Sequence, residues 1–207
     1  MPFVKRSDAG ASVGAEDGRA TEPLLSGLDS PDAEARWRAA RSLAGRADAV
    51  SALAAALAIE RVARVREAIT TALMRVGDDT SVRAMLPYLR SQDASLRAAA
   101  GEALQAMPQA VAPFISALFQ DDDGDVRLLA TELVRNMPAA EASRMLCGLI
   151  EHETHPNVCA AAVEVLAEVG TPDAVGVLQR CADRFAGTPF LPFAISVAIA
   201  RIAGAKG

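Results

Sequence analysis

One short phrase, an apolar residue followed by arginine and then by small or apolar residues, recurs along this chain at a nearly fixed interval. It appears as Ala35-Arg36-Trp37-Arg38-Ala39, Val65-Arg66-Glu67-Ala68-Ile69, Leu96-Arg97-Ala98-Ala99-Ala100 and Val126-Arg127-Leu128-Leu129-Ala130. The four arginines are 30, 31 and 30 residues apart. A fifth copy, Val158-Cys159-Ala160-Ala161-Ala162, follows 32 residues after Arg127 with Cys159 in the arginine slot, and a degenerate sixth lies near Phe190–Ala203. A recurrence of this length is one supersecondary unit, repeated because a single copy cannot bury its own apolar face.

Each unit reads as two helices. The first carries an apolar stripe at offsets of three and four: Val50, Leu53, Leu57 in unit two; Val82, Met85, Leu86, Leu89 in unit three; Val111, Phe114, Ile115, Leu118 in unit four. A polar turn such as Ser30-Pro31-Asp32, Ser91-Gln92-Asp93 or Asp121-Asp122-Asp123-Gly124 follows, and the second helix then opens with the apolar–Arg pair. It stops near Gly77, Pro108, Pro138 and Gly170, residues that end helices. Composition agrees. Hydrophobic residues are 51% and aromatics only 4%, so the core is Ala, Leu and Val, which suits close-packed helices better than sheets.

The pattern resembles the HEAT repeat family, and within it the short bacterial HEAT-like repeats of the phycobilin-lyase type. The resemblance spans about Thr21–Ala203. It implies an all-α fold, an α-solenoid with a right-handed superhelix of about six HEAT-like helix pairs, first helices on the convex side and second helices on the concave side. It also implies a structural ladder in which the second-helix arginine joins an aspartate of a nearby inter-helix turn. Arg36, Arg66, Arg97 and Arg127 match the arginine slot, and Asp32, Asp93 and Asp123 stand four residues before it. Unit two has Val62 at that place and unit five has His155, so the ladder is expected to be imperfect in unit two and lost in unit five.

Counting from the arginine slot, positions +3, +6, +7 and +10 are apolar in most copies and face the core, as in Ile69, Ala72, Leu73, Val76 and Ala100, Ala103, Leu104, Met107. Position +5 then points outward: Arg41, Thr71, Glu102, Glu132, Glu164. Position +9 gives Arg75, Asn136 and Glu168 among others. With Trp37 and Arg38, these residues form the expected protein-binding concave face, basic at its N-terminal end and acidic at its C-terminal end. A graded potential of this kind steers a partner and sets its register. The plain alternative is a set of solvated helix faces. Trp37 is either an interface anchor or a cover for the open end of the first repeat.

Other chemistries find little support. Two histidines three apart, His152 and His155, lie between Cys147 and Cys159, but this is not the His-Glu-x-x-His spacing, and both cysteines fall in apolar helical patterns. No metal and no cofactor are expected. Asp121-Asp122-Asp123-Gly124-Asp125 has Val126 at the sixth position, where a calcium loop needs glycine. HEAT-like alkylpurine glycosylases need a basic concave face. The net charge of -5 and Glu102, Glu132, Glu164 and Glu168 argue against nucleic acid. Lyase-type activity on a protein-bound substrate remains the enzymatic alternative that the resemblance implies, yet no Ser/His/Asp set or phosphate loop is visible and no catalytic residue is assigned.

Three cysteines cannot all pair within the chain, which points to a reducing cytoplasm. Nineteen Arg against two Lys, with the Ala bias, fit a GC-rich bacterial genome. Residues 1–22 hold no apolar leader and read as a disordered tail; residues 23–204 are the solenoid and 205–207 a short tail. No stretch of about 18 apolar residues offers a membrane span. At the C-terminal end, Phe185, Phe190 and Phe193 precede a nearly uncharged final helix, expected to be buried on both sides by the phenylalanines or by a second copy of the chain. The functional expectation is a non-enzymatic scaffold or adaptor that docks another protein, with homodimerisation through the last helix as a further expectation.

Overall fold

The computed structural model describes residues 22–204; the remaining residues of the expected tails lie outside the described part. Every regular element among the described residues is helical. The chain divides into two compact units, Met1–Val76 and Gly77–Gly207.

The first unit holds two helix pairs: α1 (22–27) with α2 (Ala33–Ser42), and α3 (Val50–Ile59) with α4 (Ala63–Val76). Helices α2 and α4, the two that carry the repeated arginine, pack on each other, and α3 closes against α4. Leu43, Leu53, Leu57, Ile69 and Leu73 are fully buried between them. Each such side chain contributes about 1.5–3 kcal/mol relative to exposure. The chain leaves α2 through Gly45 at φ +80, a conformation in which a side chain is strained, and the Gly45 amide donates to the carbonyl of Ala72 on α4.

The second unit holds four pairs: α5 (Asp79–Met85) with α6 (Ala94–Gln105), α7 (Pro108–Leu118) with α8 (Gly124–Leu133), α9 (Ala139–His152) with α10 (Pro156–Val169), and α11 (Ala174–Arg184) with α12 (Leu191–Gly204). First helices meet first helices (α5 on α7, α9 on α11), and second helices meet second helices (α6 on α8, α8 on α10, α10 on α12). That alternation is the stacking of an α-solenoid. The α5 helix is shorter than its stripe suggests. Pro87 has no amide to donate, so the chain continues from Leu86 to Arg90 as a 3₁₀ turn, which still buries Leu89.

Candidate functional site

The repeated arginine and the turn before it organise each helix pair. Asp32, Asp93 and Asp123 are N-caps: their carboxylates accept from Glu34, from Ser95 and Leu96, and from Asp125. The arginine turns back onto the carbonyls of its own turn. Arg36 donates to Ser30 and Pro31, Arg97 to Ser91, and Arg127 to Asp121 and Asp122.

For Arg36 and Arg127 the acid partner is a glutamate from the turn of the following pair. Arg36 Nε and Nη2 lie 2.7 and 3.1 Å from Glu60, and Arg127 Nε and Nη2 lie 2.7 and 3.2 Å from Glu153. Each glutamate also caps its turn. Glu60 Oε1 accepts from the amides of Arg61 and Val62, and Glu153 Oε1 from Thr154 and His155. Both stand six residues before the arginine slot of their own unit, in the two units that lack the aspartate. The expected defect in units two and five is therefore corrected. A glutamate two residues earlier supplies the missing carboxylate, its extra methylene making up the reach.

These ion pairs move the carboxyls. The Arg36 guanidinium, with the Val62 and Arg61 amides, holds Glu60 below its ordinary value against the opposing effect of burial. For Glu153 burial is the largest single influence and acts upward; Arg127 and the two turn amides outweigh it, so the carboxyl is also held below its ordinary value.

Unit five keeps Cys159 in the arginine slot, and α11 provides the guanidinium there. Arg184 donates to the carbonyls of Ile150 and Glu151 at the end of α9 and lies 3.9 Å from Cys181 Sγ. Cys159 and Cys181 are buried neighbours. The Cys159 hydrogen bond and Arg184 hold the Cys181 thiol below its ordinary value, while the Cys159 thiol is pushed up by Cys181 and by burial. Cys147 is half-buried, and burial raises it.

The expected concave residues are taken unit by unit. In the first, Arg38, Arg41 and Arg75 are exposed, and Trp37 and Thr71 are half-buried. Trp37, Arg41, Thr71 and Arg75 line one pocket of about 350 Å³. The sequence reading missed Arg64, in the first turn of α4. Its guanidinium lies 4.0 Å from the Trp37 ring centroid, with Arg41 at 4.7 Å. Arg64 also pairs with Glu34 at 2.9 Å, and Arg38 with the same glutamate at 3.3 Å.

In the second unit, Glu102, Asn136, Glu164 and Glu168 are exposed and Glu132 is half-buried. The acidic stripe is less open than expected, because Arg135 pairs with both Glu132 and Glu168, which raise its pKa. Glu132 and Glu164 flank a groove of about 570 Å³ formed by α8, α10 and α12. Phe193 and Val197 from α12 stand in it, 71% and 37% exposed. Of the two covers expected for the final helix, the phenylalanines are overturned. Leu191, Ile195, Ala198 and Ile202 face the core, whereas Phe193 and Val197 are left open and Phe190 is 47% exposed, so the phenylalanines do not cover the helix. Phe185 is half-buried and stacks with Arg184, 5.0 Å from the guanidinium carbon to the ring centroid.

The remaining polar clusters are structural. Asp121 pairs with Arg90 and accepts from the Asp123 amide, so the acidic turn is engaged within the fold. His152 is exposed at the end of α9 and His155 is the N-cap residue of α10. Among the described residues no three His, Cys, Asp or Glu side chains gather as a metal site, and no helix is long and apolar enough to cross a membrane.

Comparison with known proteins follows the same lines. The family model described as HEAT repeats matches residues 21–105 and 111–186. Among solved structures, an engineered protein is 19% identical, with 89% of this chain and 97% of that chain covered and a TM-score of 0.42. A designed armadillo repeat protein is 15% identical, with 87% and 98% covered and a TM-score of 0.44. A second engineered protein is 18% identical over 88% and 98%, with a TM-score of 0.45. No curated protein matches the chain significantly.

Proposed function

This chain belongs to the HEAT-repeat family, and from that premise we propose that it is a non-enzymatic scaffold whose second helices dock another protein. The supporting observation is the groove of the second unit. Exposed Phe193 and Val197 share this groove with the charged residues Glu132, Glu164 and Arg201. Apolar side chains set among charged ones match the anatomy of a protein interface.

The occupant is an amphipathic segment of a partner protein, with an apolar stripe over Phe193 and Val197 and a basic flank toward Glu164. Glu164 is the sharper probe than Glu132, which Arg135 already holds. The test is affinity capture on the immobilised chain, with each captured protein rebound to Phe193→Asp, Glu164→Arg and Arg180→Glu variants. Arg180 lies on a first helix and serves as the control. A partner lost with the first two variants and kept by the third supports docking in the groove. Binding indifferent to Phe193 and Glu164 removes it, and a bound pigment or metal in the pure protein would favour lyase-type chemistry.

The same exposed face supports a second reading, homodimerisation through α12. Sedimentation distinguishes the two: a dimer abolished by Phe193→Asp assigns the face to a second copy of the chain.

A further inference from the structure

The pocket of the first unit carries a more specific chemistry than a generic docking face. Three arginines line it. Arg41 comes from the last turn of α2, Arg64 from the first turn of α4 and Arg75 from its last turn. Trp37 organises two of them, with Arg64 and Arg41 held 4.0 and 4.7 Å from its ring centroid. Stacking of this kind fixes a guanidinium plane while leaving its N–H donors available for an oxyanion.

The local charge is not balanced from within. Glu34 takes Arg64 and Arg38, and Glu67 also lines the pocket. Among the described residues, neither Arg41 nor Arg75 has a carboxylate partner. With three arginines and one carboxylate, Glu67, in the lining, positive charge is in excess, and a bound anion relieves the repulsion. Thr71, also in the lining, adds a hydroxyl donor. The volume, about 350 Å³, is at the small end of the range for ligand pockets and is the size for one or two side chains.

We propose that this pocket over Trp37 is an oxyanion site that takes acidic side chains, Asp or Glu, of a docked protein segment. The inference rests on the scaffold reading and gives it a ligand chemistry. Arg41 and Arg75 make charge-assisted hydrogen bonds to the incoming carboxylates. Trp37 and Ala68 pack the aliphatic stem of the same side chain. The site is thus complementary to an acidic peptide.

The chain contains one tryptophan, so its fluorescence reports this pocket directly. The experiment titrates the full chain with an acetylated hexaglutamate peptide and follows Trp37 emission, with hexaglutamine and a hexathymidylate oligonucleotide as comparison probes. The expected result is a saturable change with hexaglutamate that weakens as salt is raised, no change with hexaglutamine, and at least about tenfold weaker binding in Arg75→Glu and Arg41→Glu. Both positions are exposed, and circular dichroism checks that the variants stay helical. Should a charge reversal disturb folding, Arg75→Gln gives the same comparison.

An emission unmoved by hexaglutamate, an equal response to hexaglutamine, or variants that respond like the wild type overturn the proposal. Equal or tighter binding of the oligonucleotide overturns the assignment to protein side chains. The groove test stays separable. If capture depends on Phe193 while Trp37 ignores hexaglutamate, the scaffold reading stands and this pocket falls. If Trp37 responds while no captured protein depends on the groove, the oxyanion site stands without it.

Discussion

Replacing Glu153 by Gln removes one charge and leaves the shape nearly unchanged, which makes it the most informative single substitution in the second unit. The Glu153 side chain is 3% exposed and accepts four hydrogen bonds, two from Arg127 and two from the amides of Thr154 and His155. A glutamine oxygen can keep the turn amides, but its NH2 group then faces a guanidinium, donor against donor. Breaking a buried ion pair costs about 3–5 kcal/mol. The Arg127 side chain is 17% exposed and retains its contacts to the Asp121 and Asp122 carbonyls, so the lower end, about 3 kcal/mol, is expected. At roughly 2–4 °C per kcal/mol for a chain of this size, the thermal midpoint followed by circular dichroism at neutral pH falls by roughly 6–12 °C. The effect also has a pH signature. Because the folded carboxyl titrates below its unfolded value, its stabilisation is complete above the unfolded pKa and is lost as pH falls through the folded one. The gap between wild type and variant is therefore widest near neutrality and closes in acid, below about pH 4.5. Equal midpoints at neutral pH, or a gap that stays constant into acid, would refute the ion-pair account.

Three further outcomes follow from the packing. Gly170→Ala brings a new methyl group to 2.3 Å from the Leu166 carbonyl oxygen and 2.8 Å from Ile202 Cδ1; denaturant titration should show a loss of about 1–3 kcal/mol, and an unchanged midpoint would contradict the close approach. Asp123→Ala removes the cap from the start of α8 and should cost about 1 kcal/mol in the same assay. Cys159 and Cys181 should resist a thiol reagent in the native protein, since both are buried even though Arg184 favours the Cys181 thiolate, whereas denaturation exposes all three cysteines; fast native labelling of Cys181 would count against that burial.

The helix pairs were legible in the sequence because spacing alone carries them. An arginine every thirty or so residues, apolar offsets of three and four, and Gly or Pro at the ends are local signals, and the core residues they mark, such as Leu53, Ile69, Leu104 and Ile115, are buried. The acid of the ladder was harder to read. Glu60 and Glu153 look like ordinary charges in polar turns, and only their place six residues before an arginine slot, in the units without an aspartate, sets them apart. Arg64 was missed because it stands two residues before its own unit's arginine, outside the stripe counted forward from that slot, and its contact with Trp37 joins two different repeats. Phe193 shows the reverse problem, since within one chain it is 71% exposed. An apolar helix predicts burial, but periodicity cannot say whether the facing side is occupied, and here the facing side is an open groove.

The double use of Glu60 and Glu153 bears on how such a chain is put together as it is made. Each carboxylate shapes its own turn and at the same time grips an arginine that lies earlier in the chain, Arg36 or Arg127. In synthesis from the N-terminus the guanidinium therefore leaves the ribosome first, and the glutamate that latches onto it arrives about one repeat later, so each latch closes on a receptor already in place.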